Sequence, residues 1–308
     1  MSPGPKACVT PQRPVPITDK RVSEMIARVP GLVILPGYAC NFHCAHCVSS
    51  GRKKTGLTER EINRLARTIS AHKVRSLHFV GGEPTLYKST INRLIPAAEP
   101  GGKISITTNG HFAGDEGAAA RELASFARLD GVQLSYDRFH AKFLPFANIH
   151  NLCEACKKSK IRFSVILTLQ SPMDLLLVKE LKKAGDFPIG LQKVLPFGAA
   201  KLNEIGYAYP AFDKRVLSKK CPNRKKIAYL CGHGFSVCCG GPDLRPGPVK
   251  YMHPTLEAHK KSRFYRMITE LTFSRMMTQL GVTAEWLSPE HSSPCTLCAR
   301  IFYEYGKT

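Results

Sequence analysis

Short apolar runs alternate with helical patterns between residues 32 and 200, at intervals of about thirty residues. Strands that alternate with helices are typical of a parallel sheet built from βα units. Six such units predict an α/β fold in which the sheet forms a partial barrel. The predicted strands are 32–35, 76–80, 104–108, 132–135, 163–169 and 191–195.

The helical patterns carry their own start signals. Thr58 and Glu61 have the spacing of a capping box, and Ile62, Leu65 and Ile69 follow as an apolar stripe, so a helix is predicted to begin here. Further helices are predicted at 147–158, 173–183 and 258–280, and a short amphipathic helix is predicted at 18–28.

The βα rhythm is predicted to stop near residue 200, where the density of cysteine rises. This change predicts a partial barrel over residues 31–200 and a small metal-held module over residues 201–308, because a small unit gains stability from bound metal. Residues 1–30 begin with a proline-rich stretch and are predicted to be an N-terminal extension.

Composition adds a strong positive charge to this picture. The 308 residues contain 45 Lys and Arg against 23 Asp and Glu, a formal net charge of +22, which attracts polyanions such as nucleic acid, nucleotides or an acidic peptide. The N-terminus lacks the apolar region of a signal peptide, and no run is long enough to cross a membrane. Twelve cysteines without an export signal predict a reducing, cytoplasmic compartment in which thiols serve metals or chemistry.

Three of these cysteines lie close together, directly after the first predicted strand. Cys40, Cys44 and Cys47 stand in the segment CNFHCAHC, with spacings of three and two residues. A short loop with three thiolates can bind three irons of a [4Fe-4S] cluster and leave the fourth iron open for chemistry. Zinc is the alternative, but structural zinc sites use paired two-residue spacings and four protein ligands. The triplet therefore favours a [4Fe-4S] cluster.

Further along the chain, GGEP follows the second predicted strand and SYD ends the fourth. Together with the cysteine loop, these motifs resemble the radical SAM superfamily. The resemblance implies that the open iron binds S-adenosylmethionine, which the reduced cluster cleaves to a 5′-deoxyadenosyl radical. It also implies that His46 lies near the adenine and that the GGEP turn receives the methionine amino group. The implied cofactor-binding residues are His46, Gly81, Gly82, Glu83, Pro84, Asn109, Ser135 and Asp137.

One of these assignments has an open alternative. Asp137 stands at the carboxyl end of the fourth predicted strand, where parallel α/β architectures place ligand-binding groups. The same carboxylate could instead cap the following helix.

Two further groups of cysteines need separate treatment. Cys153 and Cys156 share the helix predicted at 147–158, where half-buried thiols are favoured over metal ligands. The C-terminal cysteines resemble the auxiliary-cluster extensions called SPASM and twitch, and the predicted ligands of one auxiliary [4Fe-4S] cluster are Cys221, Cys238, Cys295 and Cys298. Structural zinc is the alternative for this site.

Within this second group some roles stay open. Cys231 could replace Cys221 as a ligand, and Cys238 and Cys239 could exchange roles. Side chains of adjacent residues point in different directions along an extended backbone, so both are not expected to bind one cluster in the same way.

The resemblance is nearest to radical SAM peptide epimerases, which use a cysteine hydrogen donor beside an auxiliary cluster. It predicts a radical SAM enzyme that epimerises a ribosomally made peptide, with Cys239 as the donor and two [4Fe-4S] clusters and S-adenosylmethionine as cofactors. Expected partners are the peptide, whose leader is acidic, and a reductant such as flavodoxin or ferredoxin. Peptide crosslinking or dehydrogenation is the nearest alternative. A basic iron-sulfur or zinc protein that binds nucleic acid is the alternative from another class.

Overall fold

The computed structural model describes residue 29, residues 31–238 and residues 250–306. Two predictions lie outside these residues: the helix at 18–28 and the position of Cys239. Among the described residues, no helix has the length and apolar character needed to cross a membrane.

One eight-stranded sheet organises the chain, with the strand order β6-β5-β4-β3-β2-β1-β7-β8. All neighbouring pairs are parallel except β7 with β8. The predicted α/β class with a parallel sheet is confirmed. The strands are β1 (Leu32–Leu35), β2 (Ser76–Phe79), β3 (Lys103–Thr108), β4 (Gly131–Ser135), β5 (Arg162–Leu169), β6 (Ile189–Lys193), β7 (Ile227–Leu230) and β8 (Gly234–Ser236).

Helices follow the first six strands, and the predicted capping box at Thr58 and Glu61 is present. The helices are α1 (Glu59–Ala71), α2 (Lys88–Leu94), α3 (Glu116–Ala124), α4 (Ala147–Lys158), α5 (Leu176–Ala184), α6 (Ala199–Leu202), α7 (Leu256–Lys261), α8 (Arg263–Glu270), α9 (Phe273–Leu280) and α10 (Pro294–Tyr305). Shorter 3₁₀ turns are Pro84–Tyr87, Ile95–Ala97, Pro172–Leu175, Lys214–Ser218 and Pro289–Ser292.

After residue 200 strands no longer alternate with helices, because β7 is followed directly by the antiparallel β8, but the sheet itself continues. Strand β7 pairs in parallel with β1, placing Ile227 opposite Leu32, and it extends the sheet beyond that point. All four residues of β7 are buried. Such a short strand carries no periodic signal, and only its pairing with β1 shows its place. The boundary between two domains at residue 200 stays a prediction.

The single helix predicted at 258–280 is also wrong, because the segment forms α7, α8 and α9. Ser262 is extended, and its side chain caps α8 by accepting a hydrogen bond from Tyr265 N. Thr272 caps α9 in the same way through Arg275 N. A Ser or Thr that bonds to the backbone two or three residues later starts a new helix. The apolar stripe continues across both breaks, so the sequence pattern predicts one helix where the structure has three.

Two other predicted elements are shifted. The helix predicted at 173–183 begins as the 3₁₀ turn Pro172–Leu175 before α5. The strand predicted at 191–195 lies two residues earlier, as β6. The side chains of β6 are mostly exposed, so the apolar pattern of the sequence predicted the wrong bounds for this strand.

The core has two parts. One lies on the sheet and includes Ile34, Phe79 and Tyr229 among its fully buried side chains. The other joins α8, α9 and α10 through residues such as Phe264 and Met276. Cys153 and Cys156 are 8% and 0% exposed on α4, so these thiols are more deeply buried than the predicted half-buried state.

His78 on β2 gives a first testable prediction. Its ring nitrogens lie 2.7 Å from Ser105 Oγ and 2.8 Å from Thr107 Oγ1, and burial, followed by the charge of Lys226, lowers its pKa to about 4. The unfolded pKa is near 6.5, so the neutral ring stabilises the fold fully above that pH and progressively less down to about pH 4. Lowering the pH from 7 to 5.5 is expected to reduce the free energy of unfolding by about 1 kcal/mol more in the wild type than in His78→Gln. Urea unfolding of both proteins at the two pH values measures this difference, and equal losses would contradict it.

Candidate functional site

The loop after β1 brings the first three cysteines into one pocket. Cys40, Cys44 and Cys47 line it together, and Cys47 N donates a hydrogen bond to Cys44 O at 3.0 Å. Burial raises the pKa of all three thiols, to about 12 for Cys44. Thiolates in such a site need a compensating cation, since metal ligation requires the deprotonated form. The three cysteines therefore fit an iron-sulfur cluster, whose iron ions supply the positive charge.

A half-buried arginine lies beside the loop. The Arg52 guanidinium lies over the Tyr38 ring, with its carbon 4.9 Å from the ring centroid. Its nitrogens Nη1 and Nη2 are buried and have no hydrogen-bond partner among the described residues. Arg52 lines the same pocket as the three cysteines. A positive charge here suits an anionic cluster with thiolate ligands.

The glycines of GGEP serve the backbone of the cysteine loop. Gly82 N donates to Gly37 O at 3.1 Å, and Glu83 N donates to Ala39 O at 2.8 Å. A Cβ on Gly82 would lie 2.0 Å from Ala39 O, and Gly81 has φ +138°. No other residue type fits at these positions without displacing the loop. The close approach expected toward a ligand is here an approach to the backbone that carries Cys40.

Glu83 is buried beneath this turn, at 1% exposure. Its carboxylate accepts hydrogen bonds from Thr108 Oγ1 at 2.7 Å and Asn109 N at 2.9 Å, and from the backbone and hydroxyl of Thr85. Burial raises its pKa in spite of these donors. The side chain thus joins the GGEP turn to the end of β3.

Asn109 extends the connection to the cysteines. Its Nδ2 donates to Asn41 Oδ1 at 2.7 Å and lies 3.7 Å from Cys40 Sγ. Cys40 Sγ also lies 3.4 Å from Phe42 N. These donors suit a thiolate at Cys40.

A cavity of about 180 Å³ lies above these groups, at the carboxyl ends of the strands. Its lining joins the three loop cysteines to part of the predicted cofactor-binding set: His46, Gly81, Gly82, Asn109 and Ser135. Glu83, Pro84 and Asp137 are not in this lining. Their predicted contacts with the cofactor stay predictions, and the structure places Glu83 and Asp137 behind the cavity wall.

Asp137 holds two histidines at that wall. Its Oδ1 accepts hydrogen bonds from Phe139 N and His140 N, which close a turn. The alternative that Asp137 caps the following helix is wrong, because α4 begins at Ala147 with Phe146 at its N-cap. Its Oδ2 lies 3.0 Å from His140 Nδ1 and 3.4 Å from His46 Nε2. Burial works to raise the pKa of Asp137, but the two histidines outweigh it and the pKa is lowered.

His46 is fixed from a second side, because its ring stacks on Phe139 with centroids 4.4 Å apart. His140 lines the cavity as well. The sequence left open whether His140, one turn after Asp137, faces substrate or packs beside Phe139, and the structure places it in the cavity lining. Its position three residues after Asp137 was the available signal, since a short turn brings such a pair together.

The turn after β6 packs on the cysteine loop. Ala199 N donates to Cys47 O at 2.9 Å, and Gly198, with φ +58°, lies so close that a Cβ would meet Cys47 O at 2.5 Å. Asn203 Nδ2 donates to Ala45 O at 2.9 Å. These contacts fix the third cysteine from the far end of the sheet.

The four predicted auxiliary ligands also line one cavity, of about 270 Å³. Cys221 follows a 3₁₀ turn, Cys238 follows β8, and Cys295 and Cys298 lie in the first turns of α10. Burial raises the pKa of Cys298 strongly, and its neighbours Cys238, Cys221 and Cys295 add to the effect. Such a set of buried thiols suits a metal centre, although their ligand roles stay a prediction.

Cys231 lies elsewhere. It follows β7, its N donates to Leu35 O at 3.2 Å, and its Sγ lies 3.7 Å from Thr55 O. It does not line the cavity of the four cysteines. The structure thus favours Cys221 over Cys231 as the fourth member of that group.

The two cavities share a wall. His46, Val48 and Gln192 line both of them, and Gln192 Nε2 donates to Thr168 Oγ1 at 2.9 Å. The space beside the loop cysteines therefore adjoins the space beside the C-terminal cysteines.

Comparison with known proteins agrees with this arrangement. Residues 34–170 match the family model of the Radical SAM superfamily. A probable GTP 3',8-cyclase of Methanocella arvoryzae is 31% identical over 112 residues, 36% of this chain. The match spans 35% of that relative's length.

Two solved structures share the fold. The protein anSMEcpe, solved with bound AdoMet and the Cp18Cys peptide, matches with a TM-score of 0.55 and 14% identity over 89% of this chain and 96% of its own. SuiB of Streptococcus suis matches with a TM-score of 0.50 and 16% identity over 82% of this chain and 72% of its own.

Glu83→Ala provides a prediction for this site. Removing the carboxylate leaves buried donors on Thr108, Asn109 and Thr85 without an acceptor, at a cost of about 3 kcal/mol in the free energy of unfolding. It also frees the turn beside the cofactor cavity while leaving every predicted cluster ligand in place. We expect the affinity for S-adenosylmethionine to fall at least about tenfold with the iron content unchanged.

Equilibrium dialysis and iron analysis of the reconstituted variant measure both quantities. Glu83→Gln is the matched control, since it keeps the shape and one carbonyl acceptor and should lie between Ala and wild type. Unchanged affinity in Glu83→Ala would contradict the assignment of this turn to the cofactor.

Proposed function

We propose that this chain is a radical SAM enzyme that epimerises a residue in a ribosomally made peptide, using two [4Fe-4S] clusters. The wall shared by the two cavities carries the proposal, since it brings the loop cysteines and the C-terminal cysteines to one reaction space. The match of residues 34–170 to the superfamily supports the class of chemistry.

On the cofactor side, Cys40, Cys44 and Cys47 would hold the first cluster. When reduced, that cluster supplies one-electron cleavage of S-adenosylmethionine to a 5′-deoxyadenosyl radical. The protein orients the cofactor. Gly81 and Gly82 leave room at the turn, and Asn109 and Ser135 offer polar groups. His46 stacks on Phe139, and its Nε2 lies 3.4 Å from Asp137 Oδ2, so it forms a fixed ring at the wall.

On the substrate side, the larger cavity is mostly apolar, with Phe197, Val237, Phe264 and Ile268 in its lining. Apolar walls exclude water, which protects a carbon radical from side reactions. The volume of about 270 Å³ suits one or two residues of a peptide. The similarity in fold to anSMEcpe, which holds the Cp18Cys peptide, also supports a peptide substrate.

We assign the hydrogen donation to Cys239, the sequence neighbour of the cavity residue Cys238. The bound cofactor would supply the abstraction of the Cα hydrogen of the substrate, with 5′-deoxyadenosine as the product. The Cys239 thiol then gives a hydrogen atom to the opposite face of the carbon. The sulfur radical left behind returns to the thiol by taking up one electron and one proton, for which the reductant and the second cluster serve.

The test uses anaerobically reconstituted protein with dithionite, S-adenosylmethionine and the peptides encoded by short genes next to this one. We expect 5′-deoxyadenosine, and one deuterium at the epimerised Cα in deuterated water. Cys239→Ala should keep both clusters and still make 5′-deoxyadenosine, while epimer formation falls about a hundredfold or more. Iron loss in that variant would make Cys239 a ligand. Full turnover with deuterium incorporation would remove its donor role, and a product two mass units lighter would indicate crosslinking or dehydrogenation.

A further inference from the structure

Strand β6 is the outermost strand on one side of the sheet, and among the described residues it pairs only with β5. Four of its five residues are exposed, including Leu191 at 53%. The strand contains no proline, and it keeps an unbroken register with β5 from Ile189 to Lys193. Sheet edges of this kind are templates for an added strand unless a protein blunts them.

The hydrogen bonds to β5 show which backbone groups face outward. Val165 N donates to Pro188 O, and Val194 N donates to Leu169 O, each at 2.9 Å. In a parallel ladder, alternate residues bond to the same neighbour. Gly190 and Gln192 therefore face β5, and the N–H and C=O groups of Leu191 and Lys193 face outward. No described backbone group outside the ladder bonds to them.

The edge passes directly beside the reaction space. The side chain of Gln192 lines both cavities. Residues paired across neighbouring strands direct their side chains to the same face of a sheet. A strand added to β6 would thus present the residue opposite Gln192 toward the cavities and turn its two neighbours away.

A positive charge stands at the end of this edge. Lys193 Nζ lies 4.1 Å from the Tyr207 ring centroid and 4.2 Å from that of Tyr209. Among the described residues it forms no ion pair with a carboxylate. A cation held over two aromatic rings and lacking an acidic partner favours a negatively charged ligand.

We propose that an acidic, extended peptide substrate binds by strand addition to β6, with its reacting residue opposite Gln192. This docking mode rests on the proposed function for the identity of its occupant. Backbone hydrogen bonds supply affinity for many sequences, and the alternating side chains select the residue that enters the cavity. The carboxylate of an acidic residue near the end of the bound segment pairs with Lys193.

Two substitutions at one position test the backbone contact. Leu191→Pro removes an N–H that β5 does not use, and Leu191→Ala removes the side chain but keeps that N–H. The probes are fluorescein-labelled synthetic peptides of 12 residues, each with Asp or Glu at three fixed positions. Peptides are selected from this set for binding to the reconstituted full chain. Fluorescence anisotropy should show binding at least about tenfold weaker for Leu191→Pro and less than about threefold weaker for Leu191→Ala.

Both variants should keep the iron content and the S-adenosylmethionine affinity of the wild type. Lys193→Met should weaken binding about threefold at low salt and reduce the dependence of affinity on salt. N-methylation at successive residues of a bound peptide should weaken binding at every second position, because only alternate N–H groups of an added strand face β6.

Equal affinities of Leu191→Pro and Leu191→Ala, N-methyl effects without alternation, or failure of every probe to bind below millimolar concentration would overturn the proposal. So would wild-type dimers in sedimentation that Leu191→Pro dissociates, because the edge would then join two copies of this chain. A tenfold gain in affinity on deleting residues 1–28 would show that the chain's own N-terminal segment occupies the edge, and would overturn it too. If 5′-deoxyadenosine still forms alongside any of these results, the docking proposal is overturned and the proposed function stands. If the N-methyl effects alternate but no 5′-deoxyadenosine forms, only the proposed function is overturned.

Discussion

Replacing Cys40, Cys44 and Cys47 together with alanine is expected to abolish 5′-deoxyadenosine formation and to remove about half of the iron. The three thiols line one pocket, and each [4Fe-4S] cluster carries four irons, so the variant should hold about four irons where the wild type holds about eight. Loss of the three predicted ligands removes the cluster proposed to bind and cleave the cofactor. Deoxyadenosine should fall below the detection limit of chromatography.

The control is the double variant Cys153→Ala and Cys156→Ala. These thiols are buried on α4 and line neither cavity, so this variant should keep all of the iron and make 5′-deoxyadenosine. Removing two small buried groups costs about 1 to 2 kcal/mol in stability, which a thermal melt would show. A wild type with only about four irons after full reconstitution would contradict the two-cluster prediction.

Cys298→Ala is expected to remove the second cluster while the first remains. Cys298 is buried beside Cys221, Cys238 and Cys295, so its replacement removes a central member of the four predicted ligands. We expect about four irons per chain. Uncoupled 5′-deoxyadenosine formation should stay within about threefold of wild type, because the first site is built from other residues, and epimer should be undetectable.

Cys231 offers the matched comparison for that experiment. It is a buried cysteine of the same part of the chain, but its thiol lies near Thr55 O and outside the cavity. Cys231→Ala should retain about eight irons, and Cys221→Ala should retain about four. The opposite pattern would make Cys231 the ligand. Full iron in Cys298→Ala would remove that residue from the ligand set.

The sequence alone determined the parts of this protein that depend on local order. Residue spacing is a local property, so the loop from Cys40 to Cys47 and the capping box at Thr58 could be read directly from the chain. The apolar pattern predicted five of the six barrel strands to within a residue at each end, since alternate residues of strands such as β2 and β3 are buried apolar side chains. Strand β6 escaped this rule because its side chains are exposed.

The tertiary structure decided what long-range packing controls. Strand β7 is too short to identify without its partner β1, and the backbone breaks at Ser262 and Thr272 interrupt an apolar stripe that continues across them. The surroundings of Glu83 and Asp137 show this most clearly. Both carboxylates stand where the sequence suggests ligand contact, yet one is buried against Thr108 and Asn109 and the other between His46 and His140. The burial and the contact partners of a residue depend on the whole fold, so its position along the chain does not predict them.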